Sequence, residues 1–173
     1  MNRGWSVRGF DVDDVATSRV SERLGVEIDS GDFFSTKLDD DYDLVTMHQV
    51  LEHVKDPNKT LRKISSCIRN GGYIFVAVPN IKSLANRFKR YLEKKGIRKN
   101  NVGKYDDSSH HVLYFEPDTL QAILANNGFQ VVYQRNCHST RPGQSKLTRF
   151  IMRNLIDYLF ARSAFFVLAK KVS

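Results

Sequence analysis

Short apolar runs alternate with amphipathic stretches along this chain, and this alternation restricts its fold more than any other feature. Residues 73–78 form a continuous apolar run, which is typical of a strand buried on both faces of a sheet. The spacing of Leu61, Ile64 and Ile68 predicts a helix over residues 58–68, directly before that strand. The alternation therefore predicts an α/β domain.

The same patterns predict the rest of the secondary structure. Further strands are predicted at residues 6–10, 26–28, 42–47, 130–135 and 164–170. Further helices are predicted at residues 15–24, 81–96, 117–127 and 146–160, and a polar loop at residues 100–109. Gly25 is expected to end the first helix, and Asn70-Gly71-Gly72 the helix before the apolar strand. A length of 173 residues favours one domain over residues 1–173.

The composition excludes several classes of protein. No apolar run approaches the roughly 20 residues that span a bilayer, and the first residues resemble no signal peptide. The two cysteines, Cys67 and Cys137, are too few for a disulfide framework. We therefore predict a cytoplasmic protein with both thiols reduced.

Positive charge is concentrated in one segment. Residues 81–104 contain nine basic residues and one acid, so this segment alone accounts for a charge equal to the net +8 of the chain. We expect residues 81–110 to form a basic lid over a substrate, which favours an anionic acceptor, a membrane surface or, less strongly, a nucleic acid. A second basic amphipathic helix is predicted at residues 146–160. For this helix and for the one at residues 81–96, the alternative is that the basic face is simply exposed to solvent and binds nothing.

Four stretches resemble one known family in their order and spacing. The first is Gly9-Phe10-Asp11, and the second is Tyr42-Asp43-Leu44-Val45 leading to Leu51-Glu52-His53-Val54-Lys55-Asp56-Pro57. The third runs over residues 70–80 and the fourth over residues 111–129. Together they resemble the class I S-adenosylmethionine-dependent methyltransferases. The Leu-Glu-His-Val form is most similar to ubiquinone-type O-methyltransferases and to related enzymes acting on sugars or small molecules.

The resemblance implies a Rossmann-like sheet with helices on both faces and the strand order 3-2-1-4-5-7-6, strand seven being antiparallel. Residues 6–10 then correspond to strand two and residues 164–170 to strand seven. Strand one and the following glycine-rich loop have no counterpart, because the ten glycines include no Gly-x-Gly. We therefore expect an N-terminally truncated domain. Three explanations stay open: a shortened gene product, a chain completed by a partner, and a rearranged sheet. Unpaired central strands would also favour self-association.

The resemblance also assigns residues to the cofactor, S-adenosylmethionine. Asp11, with Val12 beside it, would accept hydrogen bonds from the ribose hydroxyls; the alternative for Asp11 is a helix N-cap. Asp32 would accept from the adenine amino group while Phe33 lies against the ring. The alternative is a turn aspartate beside a core phenylalanine.

Residues at the end of strand four would face the methionine part of the cofactor. These are Met47, for which a plain core position is the alternative, and His48. His111, more than His110, is a candidate base for a hydroxyl acceptor, since histidine titrates near neutral pH. His53 is a second catalytic candidate, and a packed loop histidine is the alternative for both.

A metal site is a further alternative. Some relatives bind a divalent metal through a Glu-x-x-Glu-His motif, and this chain has Gln49, Glu52 and His53 at those positions, with His111 downstream. An amide is a weaker ligand than a carboxylate for a hard cation, so we predict no metal.

Three functions follow as hypotheses. The first is methyl transfer from S-adenosylmethionine to an oxygen or nitrogen of a small molecule. The second is a non-catalytic partial domain that binds a partner or a membrane surface. The third is a metal-assisted RNA 2′-O-methyltransferase, which the basic segment favours and Gln49 disfavours.

Overall fold

The computed structural model describes residues 4–39, 41–80, 91–92, 95–96, 112–137 and 164–172. The chain divides into two compact units, residues 1–39 and residues 40–173. The predicted helix at 146–160, the predicted loop at 100–109 and the histidines at positions 110 and 111 lie outside the described residues. So do the predicted lid and the helix at 81–96, apart from residues 91–92 and 95–96.

The first unit is a strand, a helix and a second strand: β1 (Arg8–Asp11), α1 (Asp14–Leu24) and β2 (Glu27–Ser30). Asp13 begins the helix, because its side chain accepts a hydrogen bond from the Ala16 N–H at 3.0 Å. Gly25 ends it with φ 64°, a left-handed conformation that glycine adopts without strain. The predicted helix and its end are therefore confirmed.

Arg8 links the parts of the first unit. β1 and β2 pair in parallel, and the Arg8 side chain forms a two-bond contact with Asp29, with its Nε 2.8 Å from Oδ2. It also contacts Asp39 at 3.0 Å and Glu27 at 3.3 Å. Hydrogen bonding to Asp29 and Asp39 raises the pKa of the Arg8 guanidinium further above its ordinary value. The cation thus holds both strands and the segment ending at Asp39 together.

The second unit contains the larger sheet. Its elements are β3 (Tyr42–His48), α2 (Pro57–Cys67), β4 (Ile68–Pro79), α3 (Pro117–Ala125), β5 (Phe129–Cys137) and β6 (Ala164–Lys171). The strand order is β3-β4-β6-β5. β3 and β4 run parallel, and β6 runs antiparallel to both of its neighbours.

Within each unit, the strand order agrees with the corresponding part of the family order. In the first unit the order is β2-β1, and in the second it is β3-β4-β6-β5 with β6 antiparallel, as expected for strand seven. Among the described residues, no strand pairs with the second edge of β1 or of β3. The predicted α/β fold is confirmed.

The boundary between α2 and β4 differs from the prediction. The helix ends at Cys67, and Asn70-Gly71-Gly72 lies inside β4, so the prediction that these residues stop the helix was wrong. Tyr42 pairs with Ile68, whereas Leu44 pairs with Tyr73. The stretch of β4 between these two pairs is therefore longer than the matching stretch of β3. Gly71, with φ 77°, accommodates this irregularity within the strand. The glycines thus mark a distortion of the strand.

One face of the larger sheet carries the core. Ile74, Val76 and Val78 of β4 are fully buried, whereas Phe75 between them is only partly buried. β6 alternates in the same way. A hydrogen bond of 2.9 Å from Asn127, just beyond α3, to Asn58 in α2 joins the two helices. We infer that both helices cover the core face, and that the carboxyl ends of β3 and β4 reach one edge of it.

Candidate functional site

Asp11 is the last residue of β1, at the carboxyl end where ligands bind in open α/β sheets. Its Oδ1 accepts the Asp13 N–H at 3.1 Å, while Asp13 itself caps α1. Asp11 is therefore not the cap that the alternative interpretation expected. The carboxylate is exposed, and its Oδ2 has no hydrogen bond among the described residues. Val12, the next residue, is also exposed.

Asp32 follows β2 and organises a turn. Its Oδ1 accepts the Phe34 N–H at 3.2 Å and its Oδ2 accepts the Ser35 N–H at 3.1 Å. The ring of Phe33 packs edge-on against Phe10, with centroids 5.2 Å apart. These contacts are those of the turn alternative. The adenine role of Asp32 and Phe33 stays a prediction.

The end of β3 presents one buried and one exposed side chain. Met47 is buried, as the core alternative expected, whereas His48 is exposed, with its ring 5.1 Å from that of Phe75. Gln49 then adopts φ 52°, a conformation that is uncommon outside glycine. Its N–H donates to the Ala77 carbonyl at 2.9 Å, and its Nε2 lies 3.4 Å from the same oxygen. Strained backbone of this kind concentrates at functional sites.

Glu52 lies in the loop that follows, and its side chain is 1% exposed. Among the described residues, neither carboxylate oxygen has a hydrogen-bond partner, although the Glu52 carbonyl accepts the N–H groups of Val112 and Leu113 at 2.9 and 3.0 Å. Burial raises the pKa of the carboxyl above its ordinary range, since a charge is costly in an apolar surrounding. A buried acid thus lies beside the carboxyl edge of the sheet.

The loop carrying His53 is joined to the segment that follows His111 in the chain. His53 is exposed, and its N–H donates to the Val50 carbonyl at 3.0 Å. Val112, the residue after His111, donates to the neighbouring Glu52 carbonyl. The catalytic roles of both histidines stay predictions. Within the described ranges, no group of three or more metal-ligating side chains is gathered in a form that could hold an ion.

Glu52 also makes stability depend on pH. Its pKa is higher in the folded state than in the unfolded state, so the native chain binds the proton more tightly. The free energy of unfolding therefore falls as the pH rises from about 4.5 through the folded-state pKa. We expect Glu52→Gln to remove this loss, so that its stability relative to wild type improves as the pH rises from about 4.5 through the folded pKa. Urea denaturation across that range measures the difference. The exposed Glu22→Gln variant is the control, and a difference that is constant with pH would contradict the argument.

One feature of the sheet was not predicted from the sequence. Aromatic rings of all four strands form a row: His48 to Phe75 at 5.1 Å, Phe75 to Phe166 at 5.1 Å, and Phe166 to Tyr133 at 5.9 Å. These residues come from β3, β4, β6 and β5, and their side chains are partly or fully exposed. Strand pairing brings them together, and no local pattern indicates it.

Comparison with known proteins identifies relatives of this chain. The model of a family described as "Methyltransferase domain" matches residues 2–134. Over 85 residues the chain is 35% identical to a ubiquinone biosynthesis O-methyltransferase of Aeromonas salmonicida, a match that covers 45% of this chain and 36% of the relative. Over 145 residues it is 27% identical to the protein of that name in Saccharophagus degradans, covering 80% of this chain and 59% of the relative.

A solved structure has the same fold. A SAM-dependent methyltransferase of Methanosarcina mazei superposes with a TM-score of 0.67 at 17% identity, covering 98% of this chain and 84% of that one. At this level of identity the likeness establishes the Rossmann-like fold. The matched regions span about one third to three fifths of the curated relatives.

Proposed function

This chain belongs to the methyltransferase domain family, and from that premise we propose that it transfers a methyl group from S-adenosylmethionine to an oxygen or nitrogen of a small molecule. S-adenosylmethionine is the cofactor that the family and the structural neighbours imply. The observation that carries the proposal is Asp11, an exposed carboxylate at the carboxyl end of β1 with one oxygen left for a ligand. A quinone-like compound or a sugar is the proposed class of acceptor.

In this proposal, residues of the chain hold several parts of the cofactor. Asp11 would hold the ribose hydroxyls, with Val12 beside them, and Asp32 and Phe33 would hold the adenine. Met47 and His48 would face the methionine part. The bound cofactor supplies a methyl group activated on a sulfonium, so the protein has to bind and orient the two reactants. The sequence contains no Gly-x-Gly that would correspond to the glycine-rich loop of the family.

Histidines beside the acceptor would remove its proton. A hydroxyl acceptor loses a proton as its oxygen takes the methyl group, and an imidazole accepts that proton near neutral pH. His53, which is exposed on the loop after β3, is the first candidate for this step. His111 is the second candidate for this step.

Asp11→Ala is expected to weaken the binding of S-adenosylhomocysteine by about 10- to 100-fold, because hydrogen bonds to a charged carboxylate contribute about 1.5–3 kcal/mol. Isothermal titration calorimetry on the full chain measures the dissociation constant. Asp14→Asn is the matched control, since Asp14 is an exposed acid in the first turn of α1. Equal weakening in both variants, or unchanged binding in Asp11→Ala, would count against the ribose role.

A second candidate function is binding to an anionic surface, which the charge of residues 81–104 favours. A segment with nine basic residues and one acid attracts acidic lipids or an anionic acceptor. In the part of the chain that the structure describes, no helix has the length and apolarity needed to cross a membrane. Among the described residues, no strand pairs with the second edges of β1 and β3, and this also favours pairing with a second copy of the chain. Sedimentation with vesicles of acidic and of neutral lipid tests the surface function.

A further inference from the structure

We propose that Glu52 determines which methyl acceptors bind, by taking a hydrogen bond from a hydroxyl or amine group of the acceptor. The inference rests on the proposed methyl transfer and adds a substrate class to it. Acceptors with a hydrogen-bond donor next to the reacting atom would be favoured, and carboxylates would be disfavoured.

The first support is the free-energy cost of burying the Glu52 carboxyl group. Both oxygens of its carboxylate are buried, and neither has a hydrogen-bond partner in the part of the chain that the structure describes. Native proteins leave few buried polar groups unsatisfied, and those that persist call for an explanation such as a catalytic or ligand-binding role. A leucine of comparable size would fill the same space without that penalty. We infer that the carboxyl is kept for a partner that binds it.

The second support is position. Glu52 lies in the loop between β3 and α2, at the carboxyl end of β3. The bridge between Asn80, just after β4, and Phe115 brings the segment before α3 to the same edge. Ligands of open α/β sheets bind at this edge. The carboxyl is therefore beside the place where an acceptor would bind.

The third support is the fixed backbone around Glu52. Gln49 donates to the Ala77 carbonyl, His53 donates to the Val50 carbonyl, and the Glu52 carbonyl accepts from Val112 and Leu113. These bonds hold the loop against β4 and against the segment before α3, so the side chain starts from a defined position. Preorganised acceptors of this kind discriminate between ligands better than mobile ones. Binding would draw the carboxyl towards the loop surface, where the next residue, His53, is exposed.

The chemical class follows from what a carboxyl group can do. Above its raised pKa the Glu52 carboxyl is ionised and only accepts hydrogen bonds, so it then pairs with a hydroxyl or an ammonium group and repels an acid. Among the described residues, no lysine or arginine forms an ion pair with Glu52. In the proposal, the acceptor supplies the donor.

The test compares wild type with Glu52→Gln and Glu52→Leu, and uses Glu22→Gln as the exposed control. Thermal unfolding is measured with saturating S-adenosylhomocysteine and EDTA, with and without four aromatic probes: phenol, catechol, benzylamine and benzoate. We expect phenol, catechol or benzylamine to raise the melting temperature of wild type and Glu22→Gln, and benzoate to have no effect. Glu52→Leu should not respond, and Glu52→Gln, whose amide oxygen still accepts a hydrogen bond, should respond less than wild type. Without probes, we expect Glu52→Leu to melt about 2–4 °C above wild type at pH 8.

Two outcomes would overturn the proposal. In the first, phenol, catechol and benzylamine each raise the melting temperature of wild type by no more than they raise that of the two Glu52 variants. The other is that both variants melt below wild type without probes, which would show that the carboxyl stabilises the unliganded fold. Calorimetry with S-adenosylhomocysteine separates this proposal from the proposed function. If the cofactor product binds all four proteins but the probes do not discriminate, only the role of Glu52 fails; if it does not bind wild type, the methyl transfer itself is in question.

Discussion

Replacing Phe165 by alanine is expected to lower the free energy of unfolding of the second unit by about 3–5 kcal/mol. Phe165 lies in β6 opposite Val78 of β4 and Asn136 of β5, and its side chain is fully buried. Alanine would leave a cavity at the centre of the sheet, and the neighbouring strands can close around it only in part. Urea denaturation followed by far-ultraviolet circular dichroism measures the change.

The neighbouring Phe166→Ala variant is the matched control. Phe166 points to the other face, where it lies 5.1 Å from the ring of Phe75 and is only partly buried. The same atoms are deleted, but less buried surface is lost, so we expect less than half the effect. A larger loss for Phe166 than for Phe165 would contradict the assignment of the core face.

Gly72→Ala is expected to destabilise the second unit by about 1–3 kcal/mol, because the added methyl group has no space. A Cβ at this position would lie 2.7 Å from Cγ2 of Ile68, and also 3.0 Å from the Arg69 carbonyl oxygen and 3.1 Å from that of Asp43. Two of these three neighbours are backbone atoms fixed in paired strands, so the strands themselves must move. Urea denaturation of the purified variant gives the free energy of unfolding.

Gly9→Ala is the comparison for this prediction. A Cβ at Gly9 would meet only the Ile28 side chain, at 3.3 Å and beyond, and that side chain can shift. We expect Gly9→Ala to have a smaller effect than Gly72→Ala. If the two variants were equally stable, the close approach of β3 to Gly72 would not matter for folding.

The helix boundaries could largely be predicted, because their causes are local. The helix over residues 15–24 was predicted from periodicity and from Gly25, and the structure agrees to within one residue. The second helix begins one residue earlier than predicted, at Pro57, because Asp56 accepts the Lys59 N–H. A cap depends on residues three positions apart, so the sequence contains the information needed to find it.

The candidate site was predicted less well than the helices. Asp11 was placed correctly at the end of a strand, but Asp13 makes the cap that Asp11 was expected to make in the alternative. Glu52 was considered as a metal ligand. The structure instead shows a buried acid that has no side-chain hydrogen bond to any described residue, and its burial depends on neighbours distant in sequence. Contacts such as that between Glu52 and Val112 join residues sixty positions apart and leave no periodic pattern.

The sequence by itself determined the α/β class, the order of most helices and strands, and the family resemblance, since these depend on periodicity, caps and short motifs. The tertiary structure decided the pairing order of the strands, the extension of β4 through Gly72, and the row of aromatic rings. It also decided the burial of Glu52. The physical reason is that side-chain burial and strand register are set by distant segments meeting in space, whereas propensity and capping act within a few residues of the chain.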